Sequence, residues 1–350
     1  MLVASQPINS RFWYPIIDAS ELSEKPHAIK LFGINIVLWT DAEGLPVAAE
    51  DKCVHRFAKL SQGQVVDGEI QCPYHGWRYN NRGQCVAIPQ LDEGETPNKN
   101  CRLKLFLCRL RYGLVWICIA DDPLVDIPQI DEAENSIFRR IGVPTHSWPC
   151  GALNAIENIF DNAHHHFVHK QLGDRKHAKP LSFRVLTETE TGLYFDVPMR
   201  DYSNPNQRAG WGIYDEVYLL ERQFTWFTPF SGKLVLHLPN DILNITCIFF
   251  TPVSDTESLC NAFILRDDSA EDTCDDDVLT MTQSILEEDI KLLACVDPDV
   301  PLDLKEQQHL ASDRPSIMMR KRFSRLLKEY NEKECRAHKL ISTSSEGAVQ

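Results

Sequence analysis

The sequence predicts an α+β protein with a small all-β domain followed by a larger domain of antiparallel sheet and helices. Short strand patterns separated by turns occupy the first part, from Trp13 to about Cys118. The second part begins with helical spacing over Leu153–Leu172 and continues with strand-like segments over Phe183–Phe263. Helical spacing returns over Asp275–Leu293 and Ile317–Tyr330. Strands placed between helices at both ends are typical of an α+β domain.

Composition sets the expected domain boundaries. We expect the all-β domain over residues 1–125, a connecting segment rich in proline and acidic residues over 126–148, and the larger domain over 149–340. A frayed tail is expected over 341–350. With 350 residues, of which 43% are apolar, the chain is long enough to bury two moderate cores.

Charge and hydropathy exclude some classes of protein. The formal net charge of −14 argues against nucleic acid as a partner, because phosphates require a basic surface. No apolar run approaches the length of a membrane span, and the first residues lack the pattern of a secretory signal, so the cytoplasm is expected. The 12 cysteines are scattered along the chain, and we expect most of them to be reduced and buried.

Two short clusters bring thiols and imidazoles together in the all-β part. Cys53 and His55 form the first, and Cys72 and His75 form the second. Two thiolates and two imidazoles suit a [2Fe–2S] cluster in which histidines hold one iron. The same donors could build a zinc site, and they could also be incidental. Proline and glycine in the second cluster favour tight turns, as expected for two loop tips that surround a metal group.

The residues around both clusters resemble those of Rieske domains. The match runs through His55-Arg56, the segment 60–63 and the segment 72–77. Many members of that family have Pro, Gly and Pro where this chain has Val54, Phe57 and Lys59. The resemblance implies a [2Fe–2S] cluster ligated by Cys53, His55, Cys72 and His75, and a protein that handles single electrons.

A second metal site is predicted between Asn158 and His169. This stretch holds Asp161 and four histidines within nine residues of a predicted helix. Mononuclear iron that activates O2 commonly binds two histidines and one carboxylate on one face, which leaves the other face open. On a straight helix the pair that faces the same way is His165 and His169, four residues apart.

The same stretch resembles the pattern N-x-x-D-x-x-H-x4-H of Rieske non-haem iron oxygenases. The pattern falls on Asn158, Asp161, His164 and His169. The resemblance implies that His164 and His169 bind Fe(II), with His165 and His166 beside the site. Because this spacing is five residues, a local distortion of the helix is expected.

The carboxylate ligand is expected late in the chain. In the family it comes from a helix in a Glu-Asp context, and the segment 287–289 looks like that context. The resemblance implies Asp289 as the ligand, with Glu287 and Glu288 as surface charges. It also implies that Asp161 hydrogen-bonds the iron-ligand histidine and, across a subunit boundary, a cluster-ligand histidine of a neighbouring copy. A head-to-tail homotrimer would follow.

Over nearly its whole length the chain resembles the terminal oxygenase (α) subunit of these enzymes, with a helix-grip-like catalytic domain. The resemblance implies that electrons enter at the cluster and that Fe(II) uses O2 to hydroxylate, dihydroxylate or oxidatively demethylate a small organic or cyclic substrate. No flavin or nicotinamide motif is visible, so a ferredoxin or flavin reductase must supply electrons. A Rieske-type electron carrier without oxygenase activity is the alternative, although it leaves Asn158–His169 unexplained.

The substrate and the donor site are only outlined by the sequence. The segment from Ser312 to Arg322 looks like the branch of pheophorbide and chlorophyllide oxygenases, a branch that also resembles cyanobacterial oxygenases of alkaloid toxins. Pocket walls are expected from residues 199–245, where five aromatics could equally be sheet core: Trp211, Tyr214, Phe224, Trp226 and Phe227. A basic stretch could dock an acidic ferredoxin or be a solvated strand edge: Lys99, Arg102, Lys104, Arg109 and Arg111.

Overall fold

The computed structural model divides the chain into two compact units, Ser10–Ile127 and Met1–Asn9 together with the chain from Pro128 onward. It describes residues 1–170, 172, 175, 178–179, 181–202, 204–215 and 217–337.

The smaller unit is built from two antiparallel sheets. Its strands are β1 (Tyr14–Asp18), β2 (His27–Leu31), β3 (Ile34–Thr40), β4 (Pro46–Glu50), β5 (Gln64–Val66), β6 (Glu69–Gln71), β7 (Arg78–Tyr79), β8 (Cys85–Ala87), β9 (Leu105–Arg111) and β10 (Leu114–Cys118). One sheet has the order β1-β10-β9-β4-β3-β2, and the other runs β5-β6-β7-β8. Alternating residues of β3, such as Val37 and Trp39, are fully buried in a core that also contains Cys53, Cys72 and Tyr79. The two cluster cysteines are therefore anchored in the core of this unit.

The larger unit is organised around one antiparallel sheet of eight strands. They are β11 (Arg139–Trp148), β12 (Val185–Glu188), β13 (Gly192–Asp196), β14 (Met199–Tyr202), β15 (Val217–Phe227), β16 (Ser231–His237), β17 (Leu243–Pro252) and β18 (Ser258–Arg266). Their order is β11-β18-β17-β16-β15-β13-β12, with β14 paired to β15.

Helices pack against this sheet. They are α1 (Ala152–Ile159), α2 (His165–Val168), α3 (Pro205–Trp211), α4 (Asp275–Leu293) and α5 (Arg314–Glu329). Phe160, at the end of α1, contacts Phe195 and Phe224 of the sheet. It approaches so closely that a Cβ at Gly232 would lie 2.9 Å from its ring. From α5, Phe323 packs on Trp226. The predicted α+β class, with a small all-β part and a sheet-and-helix part, is confirmed.

The expected domain boundaries need correction. Residues 139–148, expected in a connecting segment, form strand β11, which pairs with β18 over most of its length. Pro144 concealed this strand, because a proline usually interrupts a ladder; here it lies at a register shift on an edge strand, where its missing N–H costs little. Residues 1–9, expected in the first domain, belong to the larger unit, where the Met1 amino group lies 3.0 Å from Asp299.

The tail expected over residues 341–350 lies outside the described residues. Within the described residues, none of the helices combines the length and apolar character that a membrane span requires. The cytoplasmic location stays a prediction.

Candidate metal centres and substrate cavity

Two tight turns present the cysteines and histidines of the smaller unit. In the first, the backbone N–H of Phe57 donates to Cys53 O, and in the second the N–H of Gly76 donates to Cys72 O. Gly76 has a φ of +73°, a backbone conformation that favours glycine. Phe57 also has a positive φ, +59°, and its side chain is 66% exposed. Where many Rieske domains have glycine, this chain therefore holds an exposed aromatic ring at the loop tip.

The four donors are arranged at two depths. The Cys53 and Cys72 side chains are buried, and the Cys53 thiol lies 3.2 Å from the Tyr79 hydroxyl. Burial and the neighbouring Cys53 thiol raise the pKa of Cys72. The rings of His55 and His75 have centroids 4.6 Å apart, and both residues are less buried than the cysteines. This arrangement suits a two-iron cluster whose inner iron binds thiolates and whose outer iron binds imidazoles.

A single zinc ion fits these donors less well. Zinc would need all four donor atoms around one point, at bond lengths of about 2.0–2.3 Å. The described structure instead sorts the donors into two pairs, with the Cys72 thiol beside the Cys53 thiol and the His55 ring beside the His75 ring. One pair of thiols and one pair of imidazoles suit the two irons of a [2Fe–2S] cluster.

The histidine-rich stretch is not the continuous helix that its pattern predicts. Helix α1 ends at Ile159, and the four-residue α2 begins only at His165. Asp161 explains the break, because its Oδ1 accepts from the backbone N–H of Ala163 at 2.7 Å and so competes with helical hydrogen bonds. His169 follows α2 with extended backbone. The distortion expected from the five-residue spacing is thus a full interruption, and Gln171 lies outside the described residues.

Three side chains meet at one point in the larger unit. His164 Nε2 lies 3.2 Å from His169 Nε2, and Asp289 Oδ1 lies 3.5 Å from each of these nitrogens. Ligand atoms about 2.1 Å from one metal ion and at right angles to each other are roughly 3 Å apart. Asp289 is only 2% exposed, and its Oδ1 is buried without a hydrogen-bond partner in the described structure. A nearly equilateral triangle of two imidazoles and one carboxylate fits a mononuclear iron with an open face.

His165 lies close to the same point. Each of His164, His165 and His169 offers a nitrogen, and these three nitrogens lie within 4.8 Å of one another. Its ring stacks on that of His164 with the centroids 4.3 Å apart. Burial and the neighbouring charge of His164 lower the pKa of His165 well below its ordinary value.

The choice between these histidines can be tested by alanine replacement. We expect His164→Ala to lose the mononuclear iron and His165→Ala to keep it, because Asp289 lies beside His164 Nε2. The measurement is the ratio of iron to acid-labile sulfide, which reports the iron beyond the cluster. Loss of iron from His165→Ala together with retention in His164→Ala would transfer the ligand role to His165.

Asp161 lies on the Nδ1 side of the His164 ring, next to the histidine that the resemblance implies as its hydrogen-bond partner. Its Oδ2 is 3.4 Å from His164 Nδ1. Burial opposes ionisation of Asp161, yet its contacts with His164 and the Ala163 N–H hold the pKa of this carboxyl below its usual value. Burial disfavours the charged form of His164 too, but Asp161 and Asp289 raise the pKa of His164 to about 9. The carboxylates of Asp161 and Asp289 therefore favour a positive charge at this site.

Glu288 corrects one expectation from the sequence. Instead of being a surface charge, it is 16% exposed at its side chain and places Oε2 3.2 Å from His169 Nδ1. It also accepts from the backbone N–H of Lys170. A carboxylate on the second nitrogen of a metal-binding imidazole fixes the ring and raises its basicity. Glu287 is 64% exposed and lies 3.9 Å from Lys291, as expected for a surface residue.

A mostly apolar cavity of about 120 Å³ opens beside the triangle. His164, His169 and Asp289 line it, as do Trp211 and Arg222. Of the five aromatics expected as pocket walls, only Trp211 is part of the lining. Phe224, Trp226 and Phe227 are buried elsewhere, and Tyr214 is 72% exposed.

A separate open cleft of about 680 Å³ lies on the other side of His164. Asp161 lines this cleft, and His164 lines both the cleft and the cavity. A buried ion pair holds the cleft wall, with Arg320 of α5 2.6 Å from Glu157 of α1. Arg320 belongs to the segment that looks like the branch of pheophorbide and chlorophyllide oxygenases. Its charge is therefore paired within this protein.

Comparisons with known proteins find family matches in both parts of the chain. Residues 12–106 match the family model of the Rieske [2Fe-2S] domain. Residues 148–329, over half of the chain, match that of the Vanillate O-demethylase oxygenase C-terminal domain.

Individual relatives extend this likeness. The chloroplastic protein TIC 55 of Pisum sativum is 33% identical over 189 residues, which is 52% of this chain but 34% of that protein. The chain thus matches only about a third of TIC 55. Methylxanthine N1-demethylase NdmA of Pseudomonas putida is 30% identical over 339 residues, 91% of this chain and 89% of NdmA. The solved structure of NdmA with caffeine has a TM-score of 0.77 and 26% identity, and the match covers 90% of each chain.

Proposed function

Because this chain belongs to the Rieske non-haem iron oxygenases, which carry a [2Fe–2S] cluster and a mononuclear iron, we propose that it is a terminal oxygenase. It would use O2 to hydroxylate or oxidatively demethylate a small organic or cyclic substrate. The observation that carries the proposal is the triangle of His164, His169 and Asp289 at the wall of an apolar cavity. A Rieske-type electron carrier would need neither the triangle nor the cavity.

The proposed ligands follow from the geometry described above. Cys53, His55, Cys72 and His75 would hold the cluster. His164, His169 and Asp289 would hold Fe(II). When bound, the cluster supplies single electrons, and the iron supplies O2 activation.

The protein itself orients the substrate and keeps water out. The cavity is enclosed mainly by apolar side chains, so that a substrate ring displaces water beside the triangle. Glu288 holds the His169 ring, and Asp161 holds the His164 ring. In each turnover, two electrons and two protons accompany O2; one oxygen atom enters a C–H bond of the substrate and the other leaves as water. If that carbon is an N- or O-methyl group, the hydroxylated group leaves as formaldehyde.

Electron entry is proposed to require a second copy of the chain. Asp161 is 34% exposed at its side chain and faces the open cleft, where a cluster histidine of a neighbouring copy could reach it. A closed head-to-tail homotrimer would give every iron such a neighbour.

An external ferredoxin or flavin reductase is proposed as the electron donor. Within the basic stretch, Arg109 is already paired with Asp126 at 2.7 Å, and Arg111 donates to the carbonyl of Ile127. Lys99, Arg102 and Lys104 are exposed, and Arg102 donates to the carbonyl of Arg82. The proposed docking charge for an acidic ferredoxin therefore rests mainly on these three residues.

The function is tested by coupled turnover. We expect the reduced protein, with an electron donor, to consume O2 in step with product when offered N-methyl and O-methyl cyclic compounds such as caffeine and methoxybenzoates. Formaldehyde measures demethylation, and mass spectrometry with ¹⁸O2 measures hydroxylation. Iron and acid-labile sulfide should stand in a ratio of three to two. A ratio of two to two after anaerobic iron loading, with no product from any compound, would support the electron carrier instead.

A further inference from the structure

A buried arginine in the cavity has no ion-pair partner among the described residues. Arg222, on β15, is 3% exposed and lines the cavity. Its Nε donates to Val197 O and its Nη2 to Asn162 Oδ1, both at 3.3 Å. No described residue accepts from its Nη1. Burial lowers the pKa of Arg222 to about 10, partly offset by the more distant Asp201 and Asp161, so that it remains a cation at neutral pH.

Asn244 lies in the same row of the sheet. Arg222 is paired with Leu236, and Leu236 with Asn244, so the three side chains point to one face from adjacent strands. Arg266 donates to Asn244 Oδ1 at 3.0 Å. Since arginine can only donate, this bond fixes the amide and leaves its two N–H donors for the cavity that Asn244 lines.

Apart from the histidines and Asp289, which would hold the iron, the lining offers little that could accept hydrogen bonds from Arg222 and Asn244. Most of it is aliphatic, including Leu220, Leu234 and Ile248, and Thr282 uses its hydroxyl hydrogen on the carbonyl of Val278. A pocket with fixed donors in an apolar wall selects a ligand that brings the acceptors. The fork of an arginine matches the two oxygens of a carboxylate, and a buried guanidinium without an ion pair gains most from an anion.

We propose that the cavity takes a single-ring carboxylate whose oxygens are bound by Arg222, with Asn244 as a second donor. The cavity has about 120 Å³, near the roughly 150 Å³ of a cavity that binds benzene, so its volume limits the ligand to a single ring. The carboxylate is held at the Arg222–Asn244 row, and the ring lies on the aliphatic wall. This inference names the substrate class of the oxygenase site proposed above and rests on that proposal.

The experiment compares benzoate with benzamide, which has the same shape without the charge. Binding to the iron-loaded protein is measured by calorimetry without reductant. We expect benzoate to bind at least about 10-fold more tightly than benzamide. In Arg222→Gln the binding of benzoate should weaken ~10–100-fold, whereas that of benzamide changes less than about threefold. Arg222→Lys should recover part of the loss. The matched control is Arg200→Gln on β14, an exposed arginine, which should bind both like the wild type.

Three results would overturn the inference: equal binding of benzoate and benzamide, wild-type affinity for benzoate in a folded Arg222→Gln, or no binding of benzoate by the wild type. Thermal unfolding shows whether Arg222→Gln is folded. If it is not, the wild-type comparison and Arg222→Lys still decide. Because binding is measured without turnover, tight carboxylate binding without any product would contradict the proposed function alone. Turnover of neutral compounds with no preference for benzoate would contradict this inference alone.

Discussion

Replacing Asp289 with alanine should remove the mononuclear iron and leave the two irons of the cluster. Asp289 is the carboxylate of the triangle, and its buried oxygen lies 3.5 Å from both imidazole nitrogens. Without it, two neutral imidazoles alone would face a divalent ion. We expect coupled turnover to fall by at least about 100-fold. Iron per sulfide measures the loss, and the visible spectrum of the cluster shows that the smaller unit is intact.

The same helix provides the control and an intermediate case. Glu287→Ala changes an exposed acid two residues away and should leave both iron content and turnover unchanged. Glu288→Gln keeps the shape of the side chain that contacts His169 but removes its charge, and it should weaken iron binding by ~10–100-fold. Full retention of the third iron in Asp289→Ala, with normal turnover, would contradict the proposed ligand set.

The fold class and the pairs Cys53/His55 and Cys72/His75 could be predicted because their signals are local. Cys53 and His55 stand two residues apart, and the turn that joins them brings their own side chains to one tip. Helix geometry alone favours His165 with His169, so His164 and the distant Asp289 were assigned through the resemblance to the family. His164 and His169 lie within one short segment. Their expected helix was wrong, however, since helical spacing does not record that Asp161 uses its side chain to hold a turn. The available signal for this turn was Asp161 itself, a carboxylate just after a helix that can accept from the backbone N–H of Ala163, two residues later.

Other features depend on contacts across long stretches of chain. Glu288 was expected at the surface, although it shares a helical face with Ile285, three residues earlier, which lines the cavity. Its contact with His169 spans 119 residues. Arg222 reads as one polar position in an alternating strand, and only the registers of β15, β16 and β17 place it in line with Asn244. Pairing registers of this kind are set by the whole sheet, so neither residue could be assigned from the sequence.

Asp161→Asn should keep both metals and the fold, yet slow the transfer of electrons between them. The amide has the shape of the carboxylate but lacks the charge that faces His164 Nδ1 at 3.4 Å. We expect coupled turnover to fall on the order of 100-fold. In a single turnover with reduced protein, substrate and O2, reoxidation of the cluster, followed by its visible absorption, should slow to the same extent. Asp297→Asn, the same change in the same cleft, is the control and should behave like the wild type.

Mixed oligomers decide whether the electron crosses between copies. Asp161→Asn has an intact cluster but a defective route to its iron, and Cys72→Ser lacks the cluster but keeps Asp161. If electrons pass from the cluster of one copy to the iron of the next, co-assembled oligomers of the two inactive variants should regain part of the activity, because the intact cluster then faces the intact Asp161. If they pass only within a chain, no copy holds both parts and the mixture stays inactive. Inactive mixed oligomers, shown by mass spectrometry to contain both chains, would therefore contradict the trimeric route while leaving the iron ligands untouched.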